Sequence, residues 1–479
     1  MATVMPTAVA RFREVLGARV LEHPTERLLY GRDGSIAEGA CGLVLLCETA
    51  DEVSACVRIA AGAGLPVVPR GSGTGLCGGA VPLDDAVVLS VARMRRILSV
   101  DPATPCAWVE PGVLNLDVTA AVAHLGLHYA PDPSSQAACS IGGNVATNAG
   151  GPHCLSAGVT SQHVLGLELV LADGARVRLG GEAPDPPGYD LRGFVVGGEG
   201  TLGVVTAVCV RLTRDPPAVR TMLIDFAAIA DAGGCVGRVI ADGVIPAAME
   251  MMDRRMVQAV EAFTGAGLPL AAAAVLLVEL DGTPAEVAEQ EEVVVRVARG
   301  HRARGIRVAA DAAERALLWK ARKSAFGAVA RVAPNYYLHD CVVPRTRLVE
   351  ILEAIERIGA RHDLVIMNVF HAGDGNLHPL IAFDRRDPDQ VARVLAAGRD
   401  IIEACVAVGG VLSGEHGIGL EKRDFMPLTF TEAGLRAQGC AREAFDPHGG
   451  MNPRKVLPEA SRCGERVLDR DALPPGTWL

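Results

Sequence analysis

Pro69-Arg70-Gly71-Ser72-Gly73-Thr74-Gly75-Leu76-Cys77-Gly78-Gly79 follows a short apolar strand, Pro66-Val67-Val68, and holds five glycines within nine positions. Glycine reaches positive φ at little cost and lets backbone approach a ligand closely. Successive N–H groups in such a loop form a nest for an anion such as a pyrophosphate. The run also contains Gly73-x-Gly75-x-x-Gly78, the string of dinucleotide-binding loops. That string has meaning only where it opens a helix whose N-terminus faces the phosphates. Here Ala80-Val81-Pro82-Leu83-Asp84-Asp85 and then a strand follow, so a Rossmann unit is excluded. Taken alone, a flexible surface loop is the plain alternative for the stretch.

Two further stretches of the same character lie downstream. Pro131-Asp132-Pro133-Ser134-Ser135, Ser140-Ile141-Gly142-Gly143-Asn144 and Thr147-Asn148-Ala149-Gly150-Gly151 form the second; Gly197-Gly198-Glu199-Gly200-Thr201-Leu202-Gly203 forms the third. None can build a core, and together they imply one extended ligand lying across several turns.

Around these loops helices and strands alternate. Ala50 to Gly64 has helical periodicity; Val87 to Leu89, Trp108-Val109, Leu165 to Leu171 and Gly203 to Leu212 have strand character. Leu114 to Leu125 reads as a helix, and Arg214-Asp215-Pro216-Pro217 marks a boundary. Beyond it come a strand at Thr221 to Phe226, a helix at Ala227 to Ala241 and a strand at Ala274 to Leu280. A long helix around Glu286 to Ala303, a helix near Arg347 to His362 and a strand at Leu364 to Phe370 follow. This pattern suits a sheet with helices on one face. The tail after Leu457, with Pro474-Pro475, reads as an extended arm.

With 479 residues the chain exceeds the size of one core, so two or three units are expected. A formal charge of −10 argues against nucleic acid as a partner, because phosphate binding draws on clustered Lys and Arg. Thirteen cysteines without a CxxC pair fit neither a disulfide framework nor a cysteine-based zinc or iron–sulfur site. They read as small buried hydrophobes of a reducing compartment. Mean hydropathy is +0.26, yet the most apolar stretch, Leu268 to Val278, is too short to span a bilayer. Met1 to Ala10 lacks the features of a secretory signal, so a cytoplasmic protein is expected.

The second half carries a different chemistry. In Asn368-Val369-Phe370-His371-Ala372-Gly373-Asp374-Gly375-Asn376-Leu377-His378, Asp-Gly is a hairpin signal. If Asp374-Gly375 is the turn, His371 and His378 face one another across two strands, close enough for one metal. Two unrelated histidines flanking a turn are the plain alternative. Ser413-Gly414-Glu415-His416-Gly417-Ile418-Gly419 sets an acid beside a histidine in a glycine-flanked loop, which alone could be a solvated loop. Two His and one Glu leave an open coordination position, as a catalytic metal requires.

The three glycine stretches resemble the FAD-binding domain of the vanillyl-alcohol oxidase and para-cresol methylhydroxylase (PCMH) superfamily. From about Ala40 to Pro458 the chain is similar to the FAD-linked D-2-hydroxy acid dehydrogenases, the family of the bacterial glycolate oxidase D subunit. The resemblance implies an α+β fold: an N-terminal helical segment (1–39), a two-part PCMH-type FAD-binding domain (40–215) and an α+β substrate and metal domain with an antiparallel sheet and helices (216–445). Residues 446–479 would return to the FAD domain and form the tail. It implies that Pro69, Arg70, Gly71, Ser72, Gly73, Thr74 and Gly75 cradle the FAD pyrophosphate. Pro131, Ser134, Ser135, Gly142, Gly143, Asn144, Asn148, Gly150 and Gly151 would line the flavin and ribityl portions, with Glu199, Gly203, Val204 and Asn452 also at the cofactor. No histidine lies between Pro66 and Pro82, so non-covalent FAD is expected.

The same resemblance assigns His371, His378 and Glu415 to a divalent metal, zinc by analogy, and His416 to the general base. Within Trp319-Lys320-Ala321-Arg322-Lys323-Ser324-Ala325-Phe326 it assigns Arg322, and secondarily Lys323, to the substrate carboxylate; a plain basic helix face is the alternative. Such residue types suit the oxidation of a 2-hydroxy acid. A metal and a histidine remove the hydroxyl proton while a hydride leaves for flavin N5, and arginine pairs with the carboxylate.

Where the hydroxyglutarate enzymes hold a distal carboxylate, Phe326 and Leu338 stand here, which points to a short acid, glycolate or D-lactate. Asn452-Pro453-Arg454-Lys455 departs from the family's Asn-Pro-Gly-Lys, which puts the approach of Lys455 to the flavin in question. The family also implies a second flavoprotein-like subunit and an iron–sulfur subunit passing electrons toward quinone, partners that would bring the protein to the inner face of the membrane. Alternatives are a D-2-hydroxyglutarate dehydrogenase, a non-catalytic companion subunit, which would lack the metal and base residues, and an ether-lipid synthase type of flavoprotein, which would need a long-chain pocket.

Overall fold

The computed structural model describes residues 4–83, 86–183 and 188–459. Asp84-Asp85 and the Pro474-Pro475 arm expected from the sequence lie outside the described residues. The architecture is α+β, with two compact units. One is built from the described parts of Met1–Gly150, Val159–Asp215 and Glu415–Leu479; the other comprises Gly151–Gly158 and Pro216–Gly414. The chain thus returns to the first unit at Glu415, ahead of the position 446 expected from the sequence, and the short excursion at Gly151–Gly158 was not foreseen. Contacts to the buried Glu279 hold the excursion on the second unit. His153 Nε2 lies 3.2 Å from Glu279 and its ring packs on Trp319, while Glu279 also accepts from Arg315 and Trp319.

In the first unit Cys41–Leu46, Ala86–Ser90 and Val67–Arg70 form a parallel sheet, with Val20–Leu21 antiparallel at its far edge. The central strand Ala86–Ser90 is buried throughout, as the continuous apolar run of a covered parallel strand requires. Helix Ala50–Gly62 starts where the Thr49 hydroxyl accepts from Glu52 N, and it buries Val53, Val57 and Ile59. Each of these burials contributes about 1.5–3 kcal/mol. A five-stranded antiparallel sheet follows, in the order Ile97–Asp101, Cys106–Val109, Val204–Arg211, Val164–Val170, Arg176–Gly180. The free cysteines are buried, with Cys154 half-exposed.

The second unit is one seven-stranded antiparallel sheet: Ala303–Val308, Ala218–Phe226, Ala274–Gly282, Ala248–Asp253, Val365–His371, Pro379–Phe383, Asn335–Leu338. Helix Ile229–Ala241 packs on Pro284–Gly300 and on Leu348–Arg361, which in turn packs on Pro388–Ala407. The helix expected to run to Ala303 stops at Gly300. Arg302 takes φ +60° and reverses the chain, and Ala303–Val308 then pairs with Ala218–Phe226 as the edge strand. Helical periodicity could not register that gain, because the partner strand is remote in sequence.

Candidate active site

The first glycine loop leaves the C-terminal end of Val67–Arg70, the end of a parallel strand where ligands bind. Arg70 is buried, and burial pushes its guanidinium below the usual range. Its Nη1 donates to Ala80 O at 3.3 Å and its guanidinium lies 5.5 Å from the Tyr30 ring centre. Gly73, at φ +72°, sits against that guanidinium where any side chain would collide with it. Arg70 therefore braces the loop from within.

Hydrogen bonds join the three glycine stretches. The second contains helix Ile141–Thr147, capped by Ser140; the third donates to its end through Gly197 N to Val145 O and Glu199 N to Ala146 O, both 2.8 Å. Asn452 Nδ2 bridges the first and third by donating to Gly79 O at 2.8 Å and Glu199 O at 2.6 Å. Asn144 is held by Asn115, whose Nδ2 also donates to Pro131 O, and Asn148 Oδ1 accepts from Ser161 N. Ser134 is exposed and Ser135 half-buried, as are Ser72, Thr74 and Gly75; Gly150, Gly151 and Val204 are buried.

Glu199 is the most constrained of the expected cofactor residues. Its Oε1 accepts from Ile418 N at 2.6 Å and Gly419 N at 3.1 Å, so it pins the loop that carries Glu415 and His416. A Cβ at Gly417 would fall 2.7 Å from that oxygen, which is why the loop needs glycine there. Burial raises the Glu199 carboxyl above its ordinary value. Two buried lysines that sequence reasoning gave no role or only a doubtful one belong to the same region. Lys422 is 1 % exposed and pushed down by burial. Lys455 is pushed down by burial to about 8 and donates to Val81 O at 2.6 Å. Arg454, where the family pattern has glycine, sits at φ +59°, a left-handed conformation that glycine adopts without strain.

In the second unit the turn after His371 is longer than the sequence suggested. His371 pairs with Asn376 and Asn368 with Pro379, so the turn is Ala372-Gly373-Asp374-Gly375, with four residues rather than two. That register sets His378 level with Val369, diagonal to His371 and on the same face. The imidazoles still meet, with ring centres 4.9 Å apart at 83°. Beside them Val342 bridges to both Asn376 and Val411, so one extended segment aligns the histidine turn with the Ser413-Gly414 loop. Asp340, fully buried, accepts from Ser413 Oγ at 2.9 Å and Gly414 N at 3.0 Å.

Glu415 follows Gly414 directly. The ligand atoms of His371, His378 and Glu415 all lie within 4.8 Å of one another. Two imidazoles and a carboxylate are a donor set known for open catalytic zinc sites, with bonds of about 2.0–2.2 Å. The three side chains fit a divalent ion. His416 Nε2 lies 3.3 Å from Glu415 Oε1, and both side chains are largely shielded.

A residue missed at the sequence level lies behind His371. Glu250 is the cross-strand partner of His371, and its Oε1 accepts from His371 Nδ1 at 2.7 Å. Its Oε2 lies 2.5 Å from Arg322 Nη2. Burial acts to raise the Glu250 carboxyl, but Arg322 and His371 outweigh it and hold it below the ordinary range. The only signal in the sequence was a lone acid in the otherwise apolar Ala248-Met249-Glu250-Met251-Met252. Arg322 is 1 % exposed; its Nη2 is taken up by Glu250, while its Nε has no hydrogen-bond partner among the described residues. Lys323 instead lies 5.9 Å from the Trp319 ring centre. Phe326 packs between Tyr336 and the His378 ring, each at 6.3 Å, and Leu338 is buried in strand Asn335–Leu338.

The chain matches the FAD binding domain family over residues 42–180 and the family of FAD linked oxidases, C-terminal domain, over residues 215–456. It is 46 % identical over 452 residues to the glycolate oxidase subunit GlcD of Escherichia coli K12, covering 94 % of this chain and 91 % of that one. It is 32 % identical to a probable mitochondrial D-lactate dehydrogenase of Danio rerio, covering 94 % and 91 %. The 4-ethylphenol oxidase from Gulosibacter chungangensis shares the fold at a TM-score of 0.80 and 20 % identity, covering 96 % and 99 %. With both domain families matched in order, the chain belongs to the FAD-linked oxidases and, among them, to the family of the glycolate oxidase D subunits.

Proposed function

We propose that this protein oxidises a short D-2-hydroxy acid, glycolate or D-lactate, to the 2-oxo acid, with non-covalent FAD and a divalent metal, zinc by analogy. The observation that carries the reading is the convergence of His371, His378 and Glu415, with His416 beside them. FAD held by the glycine stretches would supply a hydride acceptor, and a divalent ion held by His371, His378 and Glu415 would supply Lewis acidity toward the hydroxyl. The chain's own residues do the rest. His416 takes the hydroxyl proton, a task suited to an imidazole near neutral pH. Arg322, held through Nη2 by Glu250, keeps Nε without a partner among the described residues and offers its remaining N–H groups to the substrate carboxylate. Phe326, packed on His378, supplies an apolar wall that favours a short acid. The D configuration rests on the family alone.

Electrons leave through a partner. The name of the Escherichia coli relative marks it as a subunit, which supports a multi-subunit assembly; that the partners are a second flavoprotein-like subunit and an iron–sulfur subunit leading to quinone rests on the family resemblance alone. Among the described residues no helix is long and apolar enough to cross a membrane, so contact with the inner membrane face would come through those partners.

The test is anaerobic flavin bleaching of the purified protein with glycolate, D-lactate, L-lactate and D-2-hydroxyglutarate. Reduction by glycolate or D-lactate, and slower reduction by the other two, is expected. A yellow protein that none of the four reduces refutes the dehydrogenase reading, and preferential reduction by D-2-hydroxyglutarate refutes the short substrate.

A further inference from the structure

We propose that Glu250 is a positioning residue of this site, one that fixes His371 as an Nε2 ligand, holds the Arg322 guanidinium, and thereby sets the affinity for the divalent ion. This rests on the metal reading above and deepens it.

The carboxylate divides its two oxygens between two functional side chains. Oε1 accepts from His371 Nδ1, which commits the imidazole proton to Nδ1 and leaves Nε2 as the ligand atom. Oε2 faces Arg322 Nη2. The spacing comes from backbone: Glu250↔His371, Met251↔Phe370 and Met252↔Val369 are consecutive pairs of adjacent antiparallel strands. All three side chains are sealed from water, Glu250 at 1 %, His371 at 3 % and Arg322 at 1 % exposure. An acid in a fully buried strand is costly unless its charge is paired and its lone pairs are used. Here the pairing partners are two of the residues the reaction needs. A carboxylate behind a metal-bound histidine orients the ring and raises its basicity, and losing such a partner typically weakens metal binding about 10–100-fold.

The experiment measures metal affinity directly. Native full-length protein, Glu250→Gln and Glu279→Gln are stripped with chelator and titrated with zinc against a chromophoric competitor, and metal-free melting curves are recorded for each. Glu279 is the control: it is another buried acid of the same unit, paired with Arg315 and Trp319 rather than with a histidine of the metal trio. The expected result is zinc affinity at least about 10-fold weaker in Glu250→Gln and unchanged in Glu279→Gln, even where Glu279→Gln melts lower. Zinc affinity of folded Glu250→Gln within twofold of native overturns the positioning role while leaving the metal reading intact. Equal weakening in both variants also overturns it, since general loosening would then explain the effect. If the native protein binds neither zinc nor manganese, the metal reading fails and the inference fails with it.

Discussion

Replacing Arg322 by lysine separates charge from geometry at the substrate carboxylate. The guanidinium is buried, compensated by Glu250 at 2.5 Å from its Nη2, and its Nε has no hydrogen-bond partner among the described residues. Lysine keeps the positive charge that Glu250 requires, so the penalty of about 3–5 kcal/mol for stranding one member of a buried pair is avoided. What it loses is the fork. A bidentate carboxylate contact supplies two charge-assisted hydrogen bonds, each worth about 1.5–3 kcal/mol net. Losing one of them, about 2 kcal/mol, corresponds to a fall of about 30-fold in kcat/KM. The carboxylate is present in both ground and transition states, so the loss should appear mainly in KM. Steady-state kinetics with glycolate and D-lactate and an artificial acceptor would measure it, with flavin content, metal content and melting temperature checked in parallel. A KM within about threefold of native, in a variant that retains flavin, metal and melting temperature, would refute the carboxylate role and leave Arg322 only as the counter-ion of Glu250. Arg322→Met is the less readable variant, because Glu250 is then buried without its cation.

Three further outcomes follow from particular residues. Arg454→Gly should raise stability by about 1–2 kcal/mol, the cost of holding an L side chain in the left-handed region that Arg454 occupies at φ +59°; an unchanged or lower melting temperature would contradict that strain. Burial and the nearby Asp33 push the Glu421 carboxyl up to about 8 from its ordinary 4.5, so the native state holds this proton more tightly than the unfolded chain does. Its contribution to stability is therefore lost as pH rises from about 4.5 toward 8, at up to about 1.4 kcal/mol per pH unit, and Glu421→Gln should flatten the fall in melting temperature between pH 6 and pH 8.5. Asp340→Ala removes the acceptor of Ser413 Oγ and Gly414 N. It should cost about 1–3 kcal/mol in thermal unfolding and slow flavin reduction by misplacing the following Glu415 and His416, an effect that a stopped-flow trace would reveal or exclude.

The parts of this protein that were legible in its sequence are those whose chemistry is local. Glycine-dense stretches suggest a backbone ligand cradle because glycine reaches positive φ at little cost, and Gly73 does take φ +72°, packed against Arg70. The Asp-Gly signal found the turn between the histidines but not its length. A four-residue turn and a two-residue turn share the signal, and the choice fell to the register His371↔Asn376. Glu250 and Asp340 were out of reach for the same reason on a longer scale. Glu250 meets His371 across 121 positions, Asp340 meets Ser413 across 73, and Glu199 meets Ile418 across 219. Each of these acids is intelligible only once strand order is known, because its partner is chosen by register or loop packing rather than by spacing along the chain. The candidate catalytic groups can thus be named from short motifs, and Glu199 came with its glycine stretch, whereas Glu250 and Asp340 cannot be named that way. Substitutions at those acids should leave every motif intact and still change how tightly the site binds its metal and substrate.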